Sequence, residues 1–286
     1  MSSPDVTPAR RPRRRVATAL VDTFAGGSAY GAIREAGDMG ALGVRAVRLA
    51  LTPPFPWIRD AVSEGSRAIR RCLIPLSLSV SAFMIGFAII VFGNLLGSLG
   101  ATDREAGGMW VAFSREVCVW ITTMIFAGVA GSAITADLGA RKIREELDAL
   151  AVLGVDRFRS LVVPRVVAMT LGAPILGMLA LLVSQAVNFA VAPGHLGLTD
   201  EVFADNLVLN VLPLDLYASI VKYLLIGFFV GVVSCQKGLS CDGGAEGVGR
   251  AVNQTVVVCF LGIWIINSLF NLGYLTIFPE TAILRG

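Results

Sequence analysis

The chain has 286 residues, a formal net charge of +3, 55% hydrophobic residues and only 16% charged ones; its mean hydropathy is +0.72. Soluble domains average about 25% charged residues, so this composition excludes an ordinary water-soluble enzyme, and its apolar content excludes a disordered chain. A charge of +3 gives no case for nucleic-acid binding.

Residues 1–33 carry a basic cluster, Arg10, Arg11, Arg13, Arg14 and Arg15. The apolar run after it, Val16–Val21, is too short for the hydrophobic segment of a signal peptide. The stretch reads as a disordered cytoplasmic tail near anionic headgroups. In 34–71, apolar Met39, Leu42, Val44, Val47, Leu49 and Leu51 alternate with Arg34, Arg45 and Arg48. That pattern predicts an amphipathic elbow in the membrane interface, broken at 52–57 and resumed over 58–71. A solvated linker is the alternative.

From residue 72 to 280 the chain reads as a five-span membrane domain. Leu73–Thr102, Val117–Ala136, Val166–Thr199 and Ala251–Pro279 contain no Asp, Glu, Lys or Arg, and Leu216–Gln236 contains only Lys222. About 20 apolar residues cross a bilayer as a helix. The predicted class is therefore all-α and polytopic, with spans near 73–100, 113–136, 164–192, 215–236 and 252–278. Basic residues sort to alternate loops: 20 Lys and Arg fall before the first span or in the second and fourth loops, against 3 on the other side. Positive loops stay in the cytoplasm. The N-terminus is expected in the cytoplasm of a cell-membrane protein and the C-terminus outside.

The second basic loop predicts one amphipathic helix over 140–153. Ile143, Leu147 and Leu150 form a stripe, with Glu145, Glu146 and Asp148 among the polar residues and Gly154 as the stop. Such a helix suits docking into a partner's groove; an exposed helix with internal salt bridges is the alternative. Small residues mark close helix approaches: Gly93–Gly97 and Gly227–Gly231 are GxxxG pairs, and Gly128 and Gly131 lie in a small-residue run. They fit packing within the chain or a dimer. Five scattered cysteines and one histidine predict no metal site and no Cys–His catalytic pair. The glycines at 243, 244, 247 and 249 do not form a GxxxxGK[ST] loop, so no ATP site is expected in this chain.

Three stretches carry a resemblance: Phe126-Ala-Gly-Val-Ala-Gly-Ser-Ala-Ile-Thr-Ala-Asp-Leu-Gly139, Glu145-Glu-Leu-Asp-Ala-Leu-Ala-Val-Leu-Gly-Val-Asp156 and Leu161-Val-Val-Pro-Arg165. Together with Gly243–Asn253 they resemble the MlaE/YrbE permease family over roughly residues 35–280. The wording of Ala136-Asp-Leu-Gly-Ala-Arg141, Ile143-Arg-Glu-Glu146 and Ala251-Val-Asn-Gln-Thr-Val-Val257 is most similar to the A-type YrbE of Mce (mammalian cell entry) systems. Val129, Cys118–Val119 and Arg157 depart from it, standing where the family often has Arg, Gly-Pro and Pro.

The resemblance implies a non-catalytic permease subunit of an ABC lipid transporter. It implies a cytoplasmic ATPase dimer that holds the ATP and Mg, a second permease (in Mce systems a B-type paralogue), MCE proteins outside, and a lipid substrate. Helix 140–153 becomes the coupling helix. Arg115 and Glu116 match an Arg-Glu pair of the family's second span, and Lys222 falls where the family tends to carry Lys. Charges inside a membrane are costly and tend to be functional, so these three are candidates for the lipid path. Snorkelling to the interface or a structural Glu116–Lys222 pair are the alternatives. A secondary transporter would be expected to show buried coupling acids and an internal repeat, and a membrane-embedded enzyme a cluster of His, Asp or Ser; neither pattern is clear here.

Overall fold

The computed structural model of the protein describes residues 13–282, and among them only helices, turns and bends occur. Helix α1 runs from Arg13 to Leu51. It begins inside the stretch expected as a disordered tail, of which residues 1–12 lie outside the described residues. The chain divides into two units, 1–42 and 43–286. The first is the greater part of α1; everything below concerns the second.

The remaining helices are α2 (Ile58–Ser98), α3 (Thr102–Ile143), α4 (Glu146–Val152), α5 (Phe158–Leu196), α6 (Asp200–Asn210), α7 (Pro213–Leu239) and α8 (Gly244–Ile277). Five of them, α2, α3, α5, α7 and α8, are long and apolar enough to cross a membrane. The all-α, five-span architecture is thus the one that the charge-free runs predict. Pro53, Pro54 and Pro56 supply no backbone N–H and separate α1 from α2. Residues 58–71 are the first turns of α2, which runs on through Pro75 to Ser98 without a break.

Other helices also outrun the expected spans. α3 starts at Thr102 rather than near 113, and wider π-type turns interrupt it at Phe113–Val117 and Ala127–Gly131. α6 is a short helix between spans, capped by Thr199 Oγ1 accepting from Val202 N at 3.4 Å; its own length, 11 residues, is too short to cross.

Helices α5 and α7 form the centre of the bundle, with α2 against α5 and both α3 and α8 against α7. Glycine permits the tightest crossing. A Cβ on Gly227 would lie 2.5 Å from Met169 O and 2.7 Å from Ala173 Cβ, and one on Gly231 would lie 3.1 Å from Met169 Cβ. α7 therefore rests almost directly on the α5 backbone. Gly131 approaches Ser234 in the same way, at 2.9 Å. Gly128 does not: a Cβ there would meet nothing within 4 Å among the described residues.

The two ends of the bundle are distinct. At one, Lys142 bonds Asp242 at 2.8 Å and Arg165 bonds Asp137, which joins the second and fourth loops to the start of α5. At the other, Gly107 N donates to Asn206 Oδ1 at 2.8 Å, which ties the start of α3 to α6. The basic loops thus share one end, as the alternation of Lys and Arg requires.

Candidate functional site

Two features stand out for function: a polar cluster inside the bundle, and the short helix at its basic end.

The cluster begins with the π-type turn Phe113–Val117. Neighbouring residues of a regular helix point about 100° apart; widening the turn re-aims them, and such turns often occur at functional positions. Here both Arg115 and Glu116 reach α7 or α8. Arg115 Nε and Nη2 donate to Asp215 Oδ1 and Oδ2 at 3.1 and 3.0 Å, a bidentate pair. Tyr274 OH donates to Asp215 Oδ1 at 2.5 Å. Glu116 accepts from Asn267 Nδ2 at 2.5 Å and from Asn271 Nδ2. Lys222 Nζ donates to Arg115 O at 2.6 Å and to Asn271 Oδ1. Asn271 therefore bridges Glu116 and Lys222. Ser219 Oγ closes the set at Ser114 O, 2.8 Å away.

Two cations and two anions balance in this cluster, so it carries no net charge. Lys222 is 2% exposed and Asp215 1%. Taking such groups out of water costs several kcal/mol each, and only close pairing with further hydrogen bonds offsets it. The geometry meets that demand: both Asp215 oxygens and both Glu116 oxygens are engaged. The cluster is a clamp between α3, α7 and α8.

Within this chain Lys222 is a member of the clamp, the structural alternative to a lining role. Its ammonium is turned inward and bonded to protein atoms. Of the three sequence candidates, Arg115 and Glu116 remain partly exposed and form the accessible edge. Asp215, Ser219, Asn267, Asn271 and Tyr274 were not singled out by the sequence. Their signal was there: Asp215, Ser219 and Lys222 recur at helical spacing, as do Asn267, Asn271 and Tyr274. Two amides on one stripe of a charge-free run call for a polar partner.

The basic end differs from the single helix expected over 140–153. α3 ends at Ile143, Glu145 adopts the left-handed conformation at φ 59°, and α4 spans only Glu146–Val152. The turn rotates the stripe. Leu147 is 4% exposed and, with Phe158 and Leu239, lines a cleft beside α4 rather than its outer face. Leu150 is half-buried. The free apolar edge is Val152 and Leu153, 88% and 76% exposed. Arg144 pairs with Glu146 at 2.8 Å and Arg157 with Asp148 at 3.4 Å, while Glu145 is exposed.

Among the described residues no group of three or more His, Cys, Asp or Glu could hold a metal, and all five cysteines are free and buried.

The profile of the family described as Permease MlaE matches residues 67–272, which takes in at least part of all five long helices. Among curated relatives, a probable ABC transporter permease of Synechocystis sp. is 34% identical over 69% of this chain and 76% of its own length. The chloroplast protein TRIGALACTOSYLDIACYLGLYCEROL 1 of Arabidopsis thaliana is 31% identical over 72% of this chain. The match spans 58% of that protein's length. A probable ABC transporter permease of Porphyra purpurea is 30% identical over 64% of this chain.

Proposed function

Because the chain belongs to the MlaE permease family, we propose that it is the membrane-spanning subunit of an ATP-driven lipid transporter. The observation that carries this reading is the family match across all five long helices. The relatives named as ABC transporter permeases support ATP drive by a separate subunit. Trigalactosyldiacylglycerol, a lipid, in the name of the Arabidopsis relative supports the substrate class. An A-type role beside a B-type permease, with MCE proteins on the far side, rests on the wording of the 136–146 and 251–257 segments.

In this reading the basic end faces the cytoplasm and the ATPase docks there. The ATPase-binding surface is the outward edge of α4, with Val152 and Leu153 as apolar anchors and Glu145 and Asp148 as rim charges. Burying each large apolar side chain contributes roughly 1.5–3 kcal/mol; rim charges mainly set rate and partner choice. Movement of α4 passes through Leu147 and the Glu145 turn to α3, whose Arg115–Glu116 turn holds α7 and α8. Closing of the ATPase would reach the clamp along one continuous helix. α8 buries only 17% of its apolar window against 50% for α3, α5 and α7, which leaves it for a second permease or for lipid.

The test is co-purification. Val152→Asp with Leu153→Asp should remove the ATPase from the purified complex while leaving the permease in the membrane with unchanged thermal stability. Full ATPase yield with this variant would refute α4 as the docking edge. Leu147→Asp should instead destabilise the permease itself, since its side chain is buried.

A further inference from the structure

A cavity of about 200 Å³ opens at the basic end between α2, α3 and α5. Its charged lining is Arg67, Arg71, Arg141 and Arg165 against Glu64 and Asp137. Arg165 forms the floor. It is 5% exposed, donates to Leu161 O at 2.7 Å and to Asp137, and lies 3.8 Å from Glu64. Arg141 Nε holds the same Asp137 at 3.1 Å, and Arg67 holds Glu64 at 3.0 Å. Both carboxylates are thus shared between arginines. Arg141 Nη1 also lies 3.7 Å from Glu146, just outside the cavity, so Arg71 is the lining cation left without a carboxylate partner among the described residues.

The level of the cavity matters as much as its charge. Arg71 stands two residues before the charge-free run of α2, Asp137 directly after that of α3, and Arg165 directly before that of α5. The three helices therefore place these groups where hydrocarbon gives way to headgroups. Ala130, Ala168 and Met169 complete the wall on the membrane side. A pocket with a basic mouth and an apolar inner wall at this depth matches an amphiphile whose anionic end is a phosphate. Arginine forks recognise phosphate oxygens in bidentate fashion, and basic pockets between membrane helices bind anionic headgroups.

We propose that this cavity is a binding site for a phosphate group, supplied by the headgroup of an anionic phospholipid in the leaflet at the basic end. The site is separate from the Arg115–Lys222 clamp and does not depend on which lipid is transported or in which direction. A purely structural ion-pair cluster is the competing account, and it predicts a different response to charge changes.

The full chain is placed in nanodiscs of equimolar phosphatidylglycerol and phosphatidylcholine, released, and the lipid that stays bound is counted by native mass spectrometry. Wild type should retain phosphatidylglycerol in preference to phosphatidylcholine. Arg71→Gln should lower that preference about fivefold, as expected for one basic residue near an anionic surface, and Arg67→Gln with Arg71→Gln should lower it further. Glu64→Gln should raise it, because a competing carboxylate is removed. If the double variant fails to fold, Glu64→Gln and the single Arg71→Gln carry the test. Retention that survives excess inorganic phosphate identifies the lipid headgroup as the source; displacement by it overturns the lipid source and assigns the site to a free phosphate. Equal retention of the two lipids in wild type, unchanged by Arg71→Gln and Glu64→Gln, overturns the proposal.

Discussion

Asp215 offers the sharpest perturbation of the polar clamp. Its side chain has no exposure, and its two oxygens accept three hydrogen bonds, two of them from one guanidinium. Asp215→Asn keeps the shape and one acceptor for Tyr274 but removes the counter-charge of Arg115, whose side chain is 13% exposed. Breaking one member of a buried pair costs about 3–5 kcal/mol, because the other charge is left uncompensated. Arg115→Gln should cost a similar amount by stranding the carboxylate. It leaves the Lys222 bond to Arg115 O in place, since that acceptor is backbone. The double variant removes both charges and should lose less than the sum of the singles, with a coupling of about 2 kcal/mol or more. The assay is thermal unfolding of the purified protein in a mild detergent. Each single variant should fall by roughly 10 °C, taking about 2–4 °C per kcal/mol for a chain of this size, and the double variant should recover part of that. Losses that are small and strictly additive would refute the clamp and leave two independent interfacial charges.

Gly227→Val should destabilise by more than the 1–3 kcal/mol typical of overpacking, because its Cβ would fall 2.5 Å from a backbone carbonyl that cannot rotate away. Gly128→Ala, in open space within this chain, should leave the stability of the isolated permease unchanged; a fall in dimer yield with this variant would place Gly128 at a contact between subunits. Topology is checked with impermeant thiol reagents, for which the five buried native cysteines give little background. A cysteine placed before Arg10 should be protected in intact cells and one placed after Leu284 labelled, and equal labelling of both would contradict five spans with a cytoplasmic N-terminus.

The spans were legible because charge is expelled from hydrocarbon, and charge-free runs of about 20 residues seldom arise outside a membrane. Their true ends were not, because a helix continues past the membrane until a stop signal meets it. α3 reaches back to Thr102 and α2 to Ile58 for that reason. The Gly227–Gly231 pair was legible as spacing, while Gly128, in an equally small-rich run, meets nothing; composition shows that close approach is possible, and not which helix arrives. The second loop misled at one residue. A stripe drawn at 100° per residue through 140–153 assumes an unbroken helix, and Glu145 in the left-handed region turns Leu147 inward and leaves Val152 and Leu153 outside. In the clamp, Arg115, Glu116 and Lys222 were visible as charges. Asn267, Asn271 and Tyr274 were passed over because the runs were drawn by the absence of Asp, Glu, Lys and Arg, a criterion that amides and phenols do not interrupt. Asp215 was hidden because it sits at the helix start, where an acid also suits the dipole.

The central claim is that this chain moves lipid only when an ATPase acts on it. The most direct measurement is transfer of a fluorescent phospholipid in proteoliposomes holding the permease with its co-purified partners, with and without MgATP. ATP-dependent transfer that is lost with the Val152→Asp, Leu153→Asp variant is the predicted result. Transfer at the same rate without ATP, or driven by an ion gradient alone, would contradict it.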